Sequence, residues 1–126
     1  MGDPIALTVL LVDDDPDMRL YLRTCLRSPS LDIARVLEAA DGVEALQLTR
    51  AGGVNLVISD IVVPGLNGRE LCRAIRDSPE LDDVTVLLIS GEDPSAADSS
   101  GADGFLAKPF NGSQLLAALQ VILPEP

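Results

Sequence analysis

Short runs of apolar and β-branched residues alternate along this chain with stretches in which apolar positions recur every three or four residues. Leu7–Val12 (LTVLLV) is the first such run, and it stops at Asp13-Asp14-Asp15, as a buried strand does on reaching the surface. Asp15 before Pro16 pairs a helix N-cap with a first-turn proline, and Met18, Tyr21, Leu22, Cys25 and Leu26 follow at helical spacing. A helix to about Ser28 is expected. Leu31–Ala39 mixes apolar with charged residues, which suits a more exposed edge strand. Asp41–Glu44 (DGVE) has the spacing of a capping box and opens a second helix, which Gly52-Gly53 ends. NLVISD is a third strand running into Asp60; a loop with Pro64 and Gly65 leads from it to a helix opened by Asn67–Glu70. Thr85–Ser90 is the fourth strand and Gly104–Lys108 a short fifth. Asn111–Gln114 opens the last helix, with Leu115, Leu116, Leu119, Ile122 and Leu123 on one stripe and Pro124 to stop it.

Right-handed crossovers between such strand–helix units give an α/β fold, a parallel sheet wound on both faces by helices. The 126 residues carry no linker, repeat or low-complexity stretch, so one domain spanning residues 1–126 is expected.

Composition narrows the function. Twenty acids against nine bases give a formal charge of −11, which repels a phosphate backbone and argues against direct nucleic-acid binding. Apolar runs are cut by charges or turn residues well before the ~20 residues a membrane helix needs, so no membrane insertion is expected. The N-terminus lacks a signal-peptide pattern, which makes a cytoplasmic protein the expectation. Cys25 and Cys72, far apart and without metal-ligand spacing, read as reduced thiols in helices. Histidine is absent, and with it Ser-His and Cys-His catalysis, imidazole metal sites and any phosphohistidine on this chain.

Chemistry must therefore rest on carboxylates, hydroxyls and lysine. In open parallel sheets ligands bind beyond the carboxyl ends of the strands, where strand order reverses. Those ends carry Asp13 and Asp14, Asp60, Ser90 and Lys108. Carboxylates converging on one spot raise each other's pKa unless a cation neutralises them. Hard oxygen donors without histidine or thiolate favour Mg²⁺. A carboxylate is also a competent phosphoryl nucleophile, and such transfer needs mainly positioning and charge neutralisation.

The motifs VLLVDDDP, SDIVVPGLNG, LLISG and GFLAKPF stand in the order and context of the bacterial response-regulator receiver family, and over nearly its whole length the chain resembles that family. The resemblance implies a five-stranded sheet of order 2-1-3-4-5 and a two-component switch phosphorylated by a sensor histidine kinase or histidine phosphotransfer protein. It would act on a downstream effector or attached output domain, and would be no enzyme beyond its own phosphoryl uptake and slow autodephosphorylation. It implies Asp60 as phosphoacceptor, and Mg²⁺ held by Asp14, by Asp13 through water, by Asp60 and by the Val62 carbonyl. Ser90 and Lys108 would bind phosphoryl oxygens, and Ser90 and Phe105 would form the switch. Lys108-Pro109 is the family's usual cis peptide.

Blander readings accompany these. Asp15 is a helix cap, Ser90-Gly91 could be a plain turn, Lys108 a structural salt-bridge partner and Phe105 a core residue. The stripe Arg19, Arg23, Arg27 reads as a solvated helix face, with kinase docking as its alternative. Two departures from the family pattern stand out. Val62 replaces the polar residue usual there, which points to a long-lived phosphorylated form. The segment between Ser90 and Lys108 is shorter than usual by about one helical turn, roughly four residues. The helix between the fourth and fifth strands is therefore expected to be short or absent, with no dimer through it. An aspartyl-phosphate phosphatase of the haloacid-dehalogenase type and a degenerate interaction-only receiver are the rival functions. The first usually has an acid where Val62 stands; the second typically loses an acid, the acceptor or the lysine.

Overall fold

The computed structural model describes residues 6–91 and 100–124. Five parallel strands, β1 (Leu7–Val12), β2 (Ile33–Ala39), β3 (Leu56–Asp60), β4 (Thr85–Ser90) and β5 (Gly104–Ala107), form one sheet of order β2-β1-β3-β4-β5. Four helices cover it: α1 (Pro16–Cys25), α2 (Gly42–Arg50), α3 (Gly68–Arg76) and α4 (Gly112–Ile122).

The unbroken apolar runs of the central strands follow from burial on both faces. Leu10, Val12, Val57, Val86 and Leu88 pack with Ala45 of α2 and Leu71, Cys72 and Ile75 of α3. Their neighbours Val9, Leu11, Leu56, Ile58, Leu87 and Ile89 pack with Leu22 of α1 and Leu115 and Leu119 of α4. Alternate residues of each strand thus feed opposite cores, and a one-residue slip would exchange them.

Helix starts follow the expected chemistry. The Asp15 carboxylate accepts from Asp17 N–H ahead of Pro16, and Asn67 with Glu70 and Asn111 with Gln114 close reciprocal capping boxes. At α2 the box is only half made. Asp41 accepts from Glu44 N–H, but the Glu44 carboxylate takes the N–H of Ala40, one residue before the cap.

Several boundaries are tighter than the sequence pattern suggested. α1 ends at Cys25 because Leu26 already closes its last turn. β2 starts at Ile33 because Leu31 is held in a turn by Ser28 O. β5 ends at Ala107, and on α4 Leu115 and Leu119 are the fully buried members of the expected stripe. The described part of the connection from β4 to β5, Gly91 and Ser100–Asp103, contains no helix. The rest of that expected short segment, residues 92–99, lies outside the described residues. A short 3-10 turn at Pro79–Leu81, which the hydrophobic pattern did not signal, joins α3 to β4.

The arginine stripe of α1 is more than a solvated face. Arg19 Nε and Arg23 Nη2 reach the two oxygens of Glu38 on β2 at 2.8 and 2.7 Å. The guanidinium of Arg23 first, and of Arg19 next, hold the Glu38 carboxyl below its usual range. A lowered carboxyl contributes stability above its unfolded pKa and loses it as pH falls through the folded value. Glu38→Gln is therefore expected to lower Tm most at neutral pH, the gap to wild type closing below about pH 4. Thermal melts across pH check this; a gap independent of pH would contradict it.

Candidate functional site

The carboxyl ends of β1, β3, β4 and β5 bring the chemistry of the chain together. Asp60, the last residue of β3, is 8% exposed, and both of its oxygens are engaged. Oδ1 accepts from Val62 N–H at 2.9 Å, and Oδ2 forms an ion pair with Lys108 Nζ. Lys108 lies just past β5 and is carried there by its own N–H, which donates to the Ser90 carbonyl at 2.8 Å. Its side chain is one-third exposed, so the ammonium stands at the mouth of the site.

Asp13 is 4% exposed, and its Oδ1 accepts from Asp15 N–H at 2.9 Å. Burial raises its pKa; the nearby Asp60 and Asp14 push the same way, opposed by the Asp15 N–H and Lys108. Asp14 is exposed. Charge therefore couples Asp13, Asp14, Asp60 and Lys108 into one site. Among the described residues no three acidic or sulfur side chains form a ready metal-holding cluster.

Ser90 ends β4 and is 6% exposed. Val62 turns its side chain to solvent, 80% exposed, while its backbone serves Asp60. Phe105 is half-buried against the core beneath α2 and α3. The turn that positions Asp60 is packed hard against α3, since a Cβ on Gly68 would stand 2.6 Å from the Asp60 carbonyl. Gly42 is more tightly constrained still, with Leu66 O 1.9 Å from where its Cβ would be. Lys108-Pro109 is a cis peptide.

Comparison with known proteins bears on the family and the fold. The response regulator receiver domain family model matches residues 9–120. This chain belongs to the response-regulator receiver family. A response regulator MprA of a Mycobacterium species is 38% identical over 119 residues, covering 91% of this chain and 50% of that protein. The chain thus spans about half the length of the curated relatives it matches. The chemotaxis response regulator CheY4 of Vibrio cholerae superposes with a TM-score of 0.83 at 32% identity, over 94% of this chain and 100% of that one. The receiver domain of the sensor histidine kinase PA1611 of Pseudomonas aeruginosa, solved with magnesium coordinated in its active-site cleft, gives 0.80 at 25% identity, over 94% and 98%. Receivers of this family work in two-component phosphotransfer signalling with histidine kinases and effectors and are not classical enzymes. No described helix of this receiver is long and apolar enough to cross a membrane.

The sequence pattern placed Asp13, Asp14, Asp60, Ser90 and Lys108 at or beside the strand ends, where the structure has them, but gave no sign of the Val62 N–H bond, because backbone donors leave no sequence signal. It also missed Arg19, whose Nη1 bonds the Asp13 carbonyl at 2.7 Å and so ties α1 to the end of β1.

A carboxyl with a raised folded pKa costs stability once pH exceeds that value. Asp13→Asn keeps the acceptor for Asp15 N–H and removes the buried charge. In chelator at pH 7 it is expected to melt a few degrees above wild type, the advantage vanishing on acidification toward about pH 4. A lower Tm at pH 7 would contradict the electrostatic reading of this residue.

Proposed function

We propose that this receiver accepts a phosphoryl group from a phosphohistidine of a partner kinase or phosphotransfer protein onto the Asp60 carboxylate, in a Mg²⁺-dependent reaction. The ion pair between Lys108 and Asp60 is the observation that supports this most strongly. It sets a buried carboxylate, a competent nucleophile, beside a cation at the carboxyl end of the sheet, close to where the strand order reverses.

The donor set fits Mg²⁺. Asp13 is a buried carboxylate raised by desolvation and by two acidic neighbours, a charge that a divalent cation would relieve. Hard carboxylate donors at the strand ends suit an ion that takes few protein ligands and keeps several waters. Asp14 and Asp60 would ligate directly, Asp13 largely through water, and the Val62 carbonyl would complete the protein's share. Bound there, Mg²⁺ supplies positive charge to the phosphoryl oxygens.

The chain's own groups do the rest. An oxygen of Asp60 forms the new bond to phosphorus as the bond to the donor nitrogen breaks. The Val62 N–H holds the other carboxylate oxygen and fixes the angle of approach. Lys108, on a flexible stem, moves from the carboxylate to a phosphoryl oxygen, and the Ser90 hydroxyl takes another. Ser90 drawn toward the phosphoryl group opens space beside β5, and Phe105 turns to fill it, which converts a local charge event into a surface change. The downstream effector or output domain would read that change. Retention of all the acids and the lysine favours a working receiver over a degenerate one, and Val62 in place of an acid disfavours a phosphatase.

Incubation with acetyl phosphate and Mg²⁺ is expected to add one phosphoryl group by intact mass, and Asp60→Asn to add none while keeping its fold. Uptake by Asp60→Asn, or uptake in chelator, would contradict the assignment. Asp14→Ala is expected to weaken Mg²⁺ binding more than Asp13→Ala. The exposed, apolar Val62 offers a hydrolytic water no side-chain hydrogen bond. Val62→Gln is therefore expected to shorten the phosphoryl half-life several-fold with uptake unchanged, and an equal half-life would contradict this.

A further inference from the structure

Lys108 hangs on a short support. β5 is an edge strand of four residues, so whatever fixes its place along β4 also fixes where the lysine stands. At one end the bond from Lys108 N–H to Ser90 O does this. The other end is closed by Asp103. Its N–H donates to the Val86 carbonyl at 2.9 Å, and its Oδ2 accepts from Val86 N–H at 2.8 Å.

The same Oδ2 is gripped from another element. Arg76, in the last turn of α3, donates through Nη2 to Asp103 Oδ2 at 2.6 Å and through Nε to the Gly101 carbonyl at 2.9 Å. Its remaining nitrogen, Nη1, is buried with no hydrogen-bond partner among the described residues, so these two bonds hold the guanidinium. Gly101 makes room for the arginine. Its φ is +87°, and a Cβ there would lie 2.8 Å from Arg76 Cγ. The fork thus spans two acceptors at the entrance to β5, the Gly101 carbonyl and an Asp103 oxygen already bonded to β4.

We propose that Arg76, acting through Asp103, is a positioning residue for Lys108. The clamp sets the register of β5 on β4 and thereby the place at which the Lys108 ammonium meets the Asp60 carboxylate. This rests on the reading of Lys108 as the cation that serves the phosphoacceptor. A lysine at position 76 has a single charged nitrogen in place of the planar fork and cannot keep both bonds in the same geometry.

The test is a double-mutant cycle on the rate of phosphoryl uptake from acetyl phosphate at saturating Mg²⁺, read by intact mass, with circular dichroism confirming each fold. Arg76→Ala is expected to slow uptake about tenfold, within the loss that misplacing a reacting group produces, and Arg76→Lys to recover part of it. In a Lys108→Ala background Arg76→Ala is expected to cost nothing further, because the group it positions is gone. Gly101→Ala, which displaces the arginine stem, is expected to act in the same direction and serves if Arg76→Ala fails to fold. An equal loss in both backgrounds would make Arg76 merely structural and overturn the proposal, as would an unchanged rate in the wild-type background. If Lys108→Ala alone leaves uptake unchanged, the Lys108 reading fails first and the clamp's role falls with it.

Discussion

The constraint on which this receiver turns is the gathering of negative charge at the carboxyl ends of a buried parallel sheet. Asp60 sits at the end of a strand buried along its whole length, and Asp13 is still more enclosed. A desolvated carboxylate needs a counter-charge or a proton. Lys108 provides the counter-charge for Asp60, whereas Asp13 responds with a raised pKa. In the proposed function this same arrangement would receive a divalent cation and a phosphoryl group. On that reading stability and reactivity would be opposed at this site, as functional positions commonly are.

The scaffold exists to hold those ends still. Two apolar cores, one on each face, fix the strand register, and the helix N-termini are sealed by Asp15, Asp41, Asn67 and Asn111. Close backbone approach at Gly68 locks the turn beyond Asp60, and Gly42 does the same for the loop that follows it. β5 is the weakest member, short and at the edge, yet it carries the lysine. Arg76 and Asp103 give it a second anchorage on α3 and β4.

Much of this was legible in the sequence, because strand ends and helix caps are local signals. β1 and β4 fall where the apolar runs place them, and the acids that end β1 and β3 mark the site directly. Long-range partners were not legible. Nothing in the α1 arginine stripe names Glu38 as its acceptor, and nothing in DSP after Arg76 points across to Gly101 and Asp103. Such pairings are set by how the helices lie on the sheet, which no local pattern encodes. The α2 cap shows a smaller failure of the same kind, since DGVE has the right spacing but Glu44 finds a donor one residue earlier.

Reductive trapping locates the acceptor without relying on any substitution. Borodeuteride converts an aspartyl phosphate to labelled homoserine, and trypsin separates the chain at Arg19, Arg50 and Arg69. After phosphorylation in Mg²⁺ the account predicts labelled homoserine at position 60 alone, within the peptide Ala51–Arg69. Label at Asp13 or Asp14, in the peptide ending at Arg19, would contradict it.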